Sequence, residues 1–217
     1  MSIRTISGLV GVGLLVVGCY GSPEEEEEPL AATESEIVGG SIDRGDNAVA
    51  FVSFKNGYCT GTLIAPNVIL TAGHCSVVDE SCNGGGGPAK CQAIPASAYT
   101  VSGGTALLDR AGRALPPAWQ AKVLENHPHP SYGSLSGGLL HDDVAVLILD
   151  TIKVNTGTAP KPVPWLSAKN DNVYADGTRI RAVGFGITNH RLHIGAGSKR
   201  QVGLTIRDQS AIDFTYG

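Results

Sequence analysis

The sequence predicts an all-β fold, and three observations support that prediction. The chain of 217 residues contains 29 Gly and 12 Pro, which interrupt helices, so long helices are not expected. Short apolar and β-branched runs recur between Gly, Pro, Asn and Asp, and no long stretch has the 3.6-residue period of an amphipathic helix. Hydrophobic residues make up 42% of the chain, which excludes a disordered protein and allows a sizeable core.

Eight segments have the length and composition of strands, and turn-forming residues bound each of them. A proline-rich segment, Thr156–Pro164, is typical of a connector between two halves of a fold. The predicted strands lie at Val49–Phe54, Thr60–Ile64, Val68–Thr71, Tyr99–Ser102, Ala121–Asn126, Val144–Leu149, Arg179–Val183 and Val202–Ile206.

The charges are unevenly distributed along the chain. The formal net charge is −4, but seven of the 20 acidic residues precede residue 37, where the one basic residue is Arg4. The remaining sequence carries 13 acids and 15 bases and is close to neutral, which argues against nucleic acid as a partner. Its bases include Arg179, Arg181, Lys199, Arg200 and Arg207, which are expected to lie on solvated faces.

The first residues have the pattern of an export signal. Arg4 precedes an apolar stretch at Ile6–Val17, which fits a secretory signal and is short for a membrane span. Cys19 follows directly and resembles the lipidated cysteine of a bacterial lipobox, so residues 1–18 are predicted to be a lipoprotein signal peptide. Acyl chains on Cys19 would then anchor an exported protein to a membrane. The alternative is an ordinary signal peptide in which Cys19 is incidental.

Residues 19–36 are predicted to form an extended acidic tether. Five consecutive glutamates, Glu24–Glu28, lie between Pro23 and Pro29. Like charges repel one another and prolines stiffen the chain, so this segment is expected to be solvated. We assign it no binding role.

Four further cysteines are consistent with export, because an even number in a secreted chain suggests two disulfides. Cys59 with Cys75 and Cys82 with Cys91 is the most local of the three possible pairings. A zinc site is the competing interpretation, but no C-x-x-C spacing is present. His190 and His193 have no carboxylate or cysteine nearby in the sequence, so neither a metal nor another cofactor is expected.

Three segments carry residues suited to chemistry. The first, Ile37–Gly40, reads Ile-Val-Gly-Gly and directly follows the tether. The second runs from Cys59 to Cys75, where an apolar hairpin delivers His74 to the end of a strand beside a predicted disulfide. The third places Asp143 at the mouth of a strongly apolar strand, where a charge needs a partner. A histidine held by this distant aspartate would supply that partner.

Together these segments resemble the trypsin/chymotrypsin-like serine proteases, and the resemblance covers nearly all of Ile37 to Gly217. The I-V-G-G activation sequence, the histidine motif T-A-G-H-C and the D-V-A-V-L segment occur in the family's order. Asn126–Tyr132 is similar to the family's H-P-x-Y segment ahead of the aspartate, and Val183–Gly186 is similar to its G-W-G strand, with Phe in place of Trp.

The resemblance implies a chymotrypsin-like double antiparallel β-barrel, with residues 37–155 as the first barrel and 156–217 as connector and partial second barrel. It implies that His74 is the general base and that Asp143 orients it. Asp143 is preferred to Asp142 because the family's acid directly precedes the aliphatic pair. The family's zymogens are cleaved before the residue that corresponds to Ile37. A protein or peptide substrate is implied.

The sequence departs from the family at the nucleophile. No G-D-S-G-G-P segment is present, and the Ser-Gly-Gly triplets at Ser102 and Ser136 both precede Asp143, in the wrong barrel. The second barrel is therefore expected to be incomplete, and these 217 residues are expected to be inactive as a peptidase. The leading interpretation is an exported, lipid-anchored serine endopeptidase zymogen that is C-terminally truncated. A non-catalytic surface lipoprotein that binds proteins and a decaying gene fragment are the alternatives.

Overall fold

The computed structural model describes residues 40–55, 57–78, 91–133, 142–165, 175–188 and 194–206, and the backbone of the short strands at 135–136 and 139–140. All of these residues belong to one compact unit, 34–217. The predicted signal peptide, Cys19, Ile37 and Cys82 lie outside the described residues, as do His190, His193 and Arg207. No helix among the described residues is long and apolar enough to cross a membrane.

The helical segments among the described residues are short 3-10 turns and all other regular elements are β-strands, so the all-β prediction is confirmed. Each of the eight predicted strands coincides with an observed strand to within a few residues. The strands are β1 Ser41–Ile42, β2 Val49–Phe54, β3 Gly57–Ala65, β4 Val68–Thr71, β5 Thr100–Gly103, β6 Trp119–Pro128, β7 Leu135–Ser136, β8 Leu139–Leu140, β9 Ala145–Leu149, β10 Lys153–Val154, β11 Arg179–Gly184 and β12 Arg200–Thr205.

Six of these strands close into an antiparallel barrel. The sheet runs in the order β6-β5-β2-β3-β4-β9, and β9 pairs again with β6, while β10 adds to β6 outside the ring. The closing register joins Val123 to Leu149 and Pro128 to Ala145. Closure leaves none of the six strands as a free edge. A closed barrel with a second sheet is the arrangement expected of a chymotrypsin-like fold.

The core of the barrel is formed by side chains that alternate along each strand. In β9 the residues Ala145, Leu147 and Leu149 are buried and the two between them are less so, as the two-residue period of a strand requires. These side chains meet those of the other five strands inside the barrel. The fully buried members include Ala50, Val52, Leu63, Ile69, Val101, Trp119, Leu147 and Leu149.

The second sheet has the order β1-β12-β11 and includes the start of the described chain. Ser41 pairs with Gln201 and Ile42 with Arg200, so β1 belongs to this sheet. The Arg200 guanidinium also donates to the Gly40 carbonyl (2.8 Å). The segment that follows the Ile-Val-Gly-Gly sequence is thus held against the second sheet.

The prediction that Lys199 lies on a solvated face is wrong. Its side chain is only 1% exposed, and its Nζ lies 3.3 Å from Asp43 Oδ2, itself buried, and donates to the Asp46 carbonyl (2.6 Å). A buried ammonium requires such partners. On the exposed side, the Arg181 guanidinium makes a bidentate ion pair with the Asp46 carboxylate. Cations of the second sheet therefore bind both aspartates of the 43–46 turn.

Phe185, the residue directly after β11, packs against the barrel. Phe185, which stands where the family has Trp, is fully buried and packs edge-on against Phe51 at 5.5 Å. Its backbone N–H donates to the Thr60 hydroxyl (3.0 Å). The Thr60 carbonyl in turn accepts a hydrogen bond from the Thr71 hydroxyl (3.0 Å), and Thr71 is the last residue of β4.

Candidate active site

His74 lies in a single 3-10 turn, Gly73–Cys75, directly after β4. The turn is closed by the Ser76 amide, which donates to the Gly73 carbonyl (2.8 Å), and by the Ser76 hydroxyl, which donates to the same oxygen (2.6 Å). Residue 73 has no space for a side chain, because a Cβ atom there would lie 2.6 Å from the Tyr132 ring. Glycine therefore allows the turn to approach the buried Tyr132 closely.

The predicted disulfide between Cys59 and Cys75 is present and ties the His74 turn to β3. It closes a loop with a sequence separation of 16 residues, a size for which a crosslink stabilises a protein by about 3 kcal/mol. Cys91 is also disulfide-bonded, while Cys82 lies outside the described residues. The Cys59 and Cys75 sulfurs lie near His74, but the disulfide occupies both of them as potential metal ligands.

Asp143 is delivered by a sharp turn just before β9. Asp142 has a φ of 55°, in the left-handed region, and its carbonyl accepts the Val144 amide (2.7 Å). Val144 is then fixed by its own carbonyl, which accepts the His129 amide (2.9 Å). Asp142 itself is exposed, as predicted for a loop acid.

The structure brings His74 and Asp143 together through two hydrogen bonds. The His74 ring Nδ1 lies 2.8 Å from Asp143 Oδ2, and the His74 backbone N–H donates to Oδ1 (2.8 Å). A carboxylate can only accept, so this contact places the ring proton on Nδ1. The two oxygens of one carboxylate thus hold both the ring and the backbone of His74. The side chains are 45% and 40% exposed, so the pair remains accessible from solvent.

The environment keeps the Asp143 carboxyl ionised. Burial acts to raise the pKa of Asp143, but hydrogen bonds from the His74 ring and amide, the charge of His74 and the Gly73 amide together hold that pKa below its ordinary value of 3.8. At neutral pH the group is therefore a carboxylate. It can accept the Nδ1 proton and stabilise a positive charge on the imidazole.

Sequence reasoning did not single out the residues that support this turn from the interior. Tyr99 and Asn126 donate to the carbonyls that follow His74: the Tyr99 hydroxyl to Cys75 (2.9 Å) and the Asn126 amide to Ser76 (2.7 Å). Tyr99 was predicted only as part of a strand, and Asn126 as the end of a strand and the first residue of the segment similar to H-P-x-Y. A tyrosine or asparagine at a strand position gives no local signal of a contact with a distant turn.

The left-handed turn at Asp142 leads to a test of stability. Valine at position 142 should destabilise the fold by about 1–2 kcal/mol, because a β-branched side chain is strained at positive φ. Asparagine tolerates this conformation, so Asp142→Asn should unfold at nearly the wild-type urea concentration. Equal urea midpoints for Asp142→Val and Asp142→Asn would contradict the expectation.

Comparison with known proteins agrees with this geometry. The family model described as Trypsin matches residues 37–214. A curated relative named Trypsin, from Saccharopolyspora erythraea, is 32% identical over 134 residues, which are 61% of this chain and 45% of the relative. The match thus spans less than half the length of that relative. The family model covers most of the chain, including β1 to β12, His74 and Asp143, and the chain therefore belongs to the trypsin family of peptidases.

Proposed function

We propose that this chain carries the general base, His74, and its orienting acid, Asp143, of a trypsin-type serine endopeptidase, without the nucleophilic serine. The observation that supports this most directly is the 2.8 Å contact between His74 Nδ1 and Asp143 Oδ2. This contact leaves Nε2 as the imidazole nitrogen that accepts a proton in catalysis. A chain that only bound proteins would have no chemical need for such a pair.

In the proposed reaction a serine Oγ forms a bond to the carbonyl carbon of the scissile peptide while its proton moves to His74 Nε2. The imidazolium is stabilised by the Asp143 carboxylate and then gives that proton to the leaving amine. Water repeats the sequence, losing its proton to Nε2 and releasing the acyl group as a carboxylic acid. The serine is regenerated when the imidazolium returns the proton.

Activation is proposed to follow the family's zymogens, with cleavage of the bond between Glu36 and Ile37. Gly40 lies three residues after Ile37; its carbonyl accepts a hydrogen bond from Arg200, and β1 pairs with β12. This attachment supports a scheme in which the second sheet holds the chain that follows the cleavage site. Export and lipid anchoring at Cys19 are part of the same proposal.

The nucleophile is the part of the proposal that these 217 residues do not supply, since they contain no G-D-S-G-G segment. We therefore expect a fluorophosphonate probe, which labels activated serines, to leave the purified 217-residue chain unlabelled. The DNA after codon 217 should encode G-D-S-G-G in frame or one base out of frame. A polypeptide that includes this segment, called the completed chain below, should be labelled and should cleave peptides.

Two results would contradict this proposal. Labelling of the 217-residue chain would mean that another serine serves the histidine. A completed chain that is labelled by no probe and cleaves no peptide would instead favour a non-catalytic surface lipoprotein that binds proteins.

A further inference from the structure

The buried Tyr99 and the partly buried Asn126 support the turn that carries His74. The Tyr99 hydroxyl donates to the carbonyl of Cys75, and the Asn126 amide donates to the carbonyl of Ser76. These are the first two carbonyls after His74. Tyr99 is 4% exposed and Ser76 is completely buried, so water does not compete readily for these contacts.

The Asn126 amide is oriented by its acceptors. Its Nδ2 also lies 2.9 Å from the Ile94 carbonyl and 3.2 Å from the Tyr99 hydroxyl oxygen. Because two carbonyls face this atom, only a donor with two hydrogens satisfies the site. The Tyr99 hydroxyl gives its single proton to Cys75, and its oxygen, 3.2 Å from Nδ2, shares one of the two amide hydrogens with a carbonyl. The two side chains and the backbone of the turn form one connected set of hydrogen bonds.

The backbone of Asn126 connects these hydrogen bonds to the strand that follows Asp143, the partner of His74. Asn126 lies in β6, opposite Leu147 of β9, and β9 begins two residues after Asp143. One residue thus contacts the histidine turn with its side chain, while its strand pairs with the strand that carries the aspartate. Displacing Asn126 would change the position of His74 relative to Asp143.

We propose that Asn126 and Tyr99 are positioning residues that hold the His74 turn in register with Asp143. The inference rests on the proposed function, because it assigns a catalytic purpose to that register. Neither residue touches the reacting atoms in this scheme. Both act through the carbonyls of Cys75 and Ser76.

The test uses NMR to measure the pKa of Asp143 and the exchange rate of the His74 amide. It compares the full 217-residue chain with two variants that change no charge, Tyr99→Phe and Asn126→Leu. In both variants the pKa of the Asp143 carboxyl should rise towards 3.8, because its bonds from His74 loosen. The His74 amide, which donates to Asp143, should exchange with solvent about five- to tenfold faster, the ratio that corresponds to one net hydrogen bond. Asn155→Leu is the matched control, since the exposed Asn155 amide also donates to a carbonyl, that of Pro117.

A second carboxyl reports on whether the fold is intact. Burial acts to raise the pKa of Asp43, but contacts with Gly45, Asp46 and Lys199, beside the second sheet, hold it low, and it should stay low in folded variants. If the pKa of Asp43 is not low in Asn126→Leu, that variant is not correctly folded, and the inference is tested by Tyr99→Phe alone. Wild-type values for both Asp143 and the His74 amide in a folded Tyr99→Phe chain would overturn the inference.

Failure of the proposed function would give a different result from failure of the positioning roles of Tyr99 and Asn126. In His74→Ala the pKa of Asp143 should rise, because the ring hydrogen bond and the charge are lost. An unchanged Asp143 pKa in His74→Ala would mean that the pair does not interact in solution, which contradicts the proposed function itself. A rise in His74→Ala without any effect in Tyr99→Phe would reject only the positioning roles.

Discussion

Asp143→Asn in the completed chain should lower kcat by about 10⁴, the loss known for this substitution in a triad protease. The asparagine oxygen can still accept the His74 amide, but its NH₂ group would then face Nδ1. Because two donors cannot face each other, the imidazole would keep its proton on Nε2. A ring protonated at Nε2 cannot accept the serine proton. The value of kcat therefore falls, although His74 and residue 143 keep their positions.

The chain offers a matched control for this substitution. Glu125 Oε2 lies 2.7 Å from His127 Nε2, which is a second histidine–carboxylate pair, exposed on β6. Glu125→Gln should leave kcat at the wild-type level, because that pair has no part in the proposed reaction. An Asp143→Asn enzyme that keeps kcat within about tenfold of wild type would reject the role of Asp143.

Lys199→Met should cause the largest loss of stability, about 3–5 kcal/mol in the free energy of unfolding. The substitution keeps an unbranched stem of similar length but removes the ammonium, and it leaves the buried Asp43 carboxylate without its counter-charge. The double variant Asp43→Asn/Lys199→Met removes both charges and should recover most of the loss. Urea denaturation at neutral pH measures each difference.

The effect of Lys199→Met should depend on pH in a defined direction. Burial acts to raise the pKa of Asp43, but the Gly45 and Asp46 amides and Lys199 hold it below its ordinary value of 3.8. The stability contributed by this carboxylate is therefore present above pH 3.8 and is lost as the pH falls through the lowered pKa. A protonated Asp43 needs no counter-charge, so wild type and Lys199→Met should converge in acid.

The control for Lys199→Met is Lys122→Met, at an exposed position of β6. This change should alter the free energy of unfolding by no more than about 0.5 kcal/mol. A Lys199→Met chain as stable as Lys122→Met would show that the buried ion pair is not required for folding.

The sequence allowed most of the barrel to be predicted because its strands are locally encoded. β2 and β4 were predicted with their observed bounds, since each is a short β-branched and apolar run between turn residues. The two-residue strands β1 and β10 were missed. Their residues are strands only because β12 and β6 lie beside them, and no local pattern records that contact.

The candidate site, like the barrel, could be predicted from the sequence only in part. His74 and Asp143 could be named because family motifs surround them, but their two hydrogen bonds join residues that are 69 positions apart. Lys199 was misjudged for a similar reason. Its burial depends on Asp43 near the opposite end of the described chain, and a lysine beside Ser198 and Arg200 looks like an ordinary surface residue.

The crosslink between Cys59 and Cys75 links the alignment of His74, the proposed general base, to the redox state of its surroundings. Its second cysteine is the residue after His74, so reduction to thiols would remove one restraint on the imidazole and leave only the hydrogen bonds. A newly synthesised chain in a reducing cytosol would hold its base more loosely than the same chain after oxidation. Under the proposed function, full proteolytic competence would then develop only in an oxidising compartment, away from the cytosol in which the protein is made.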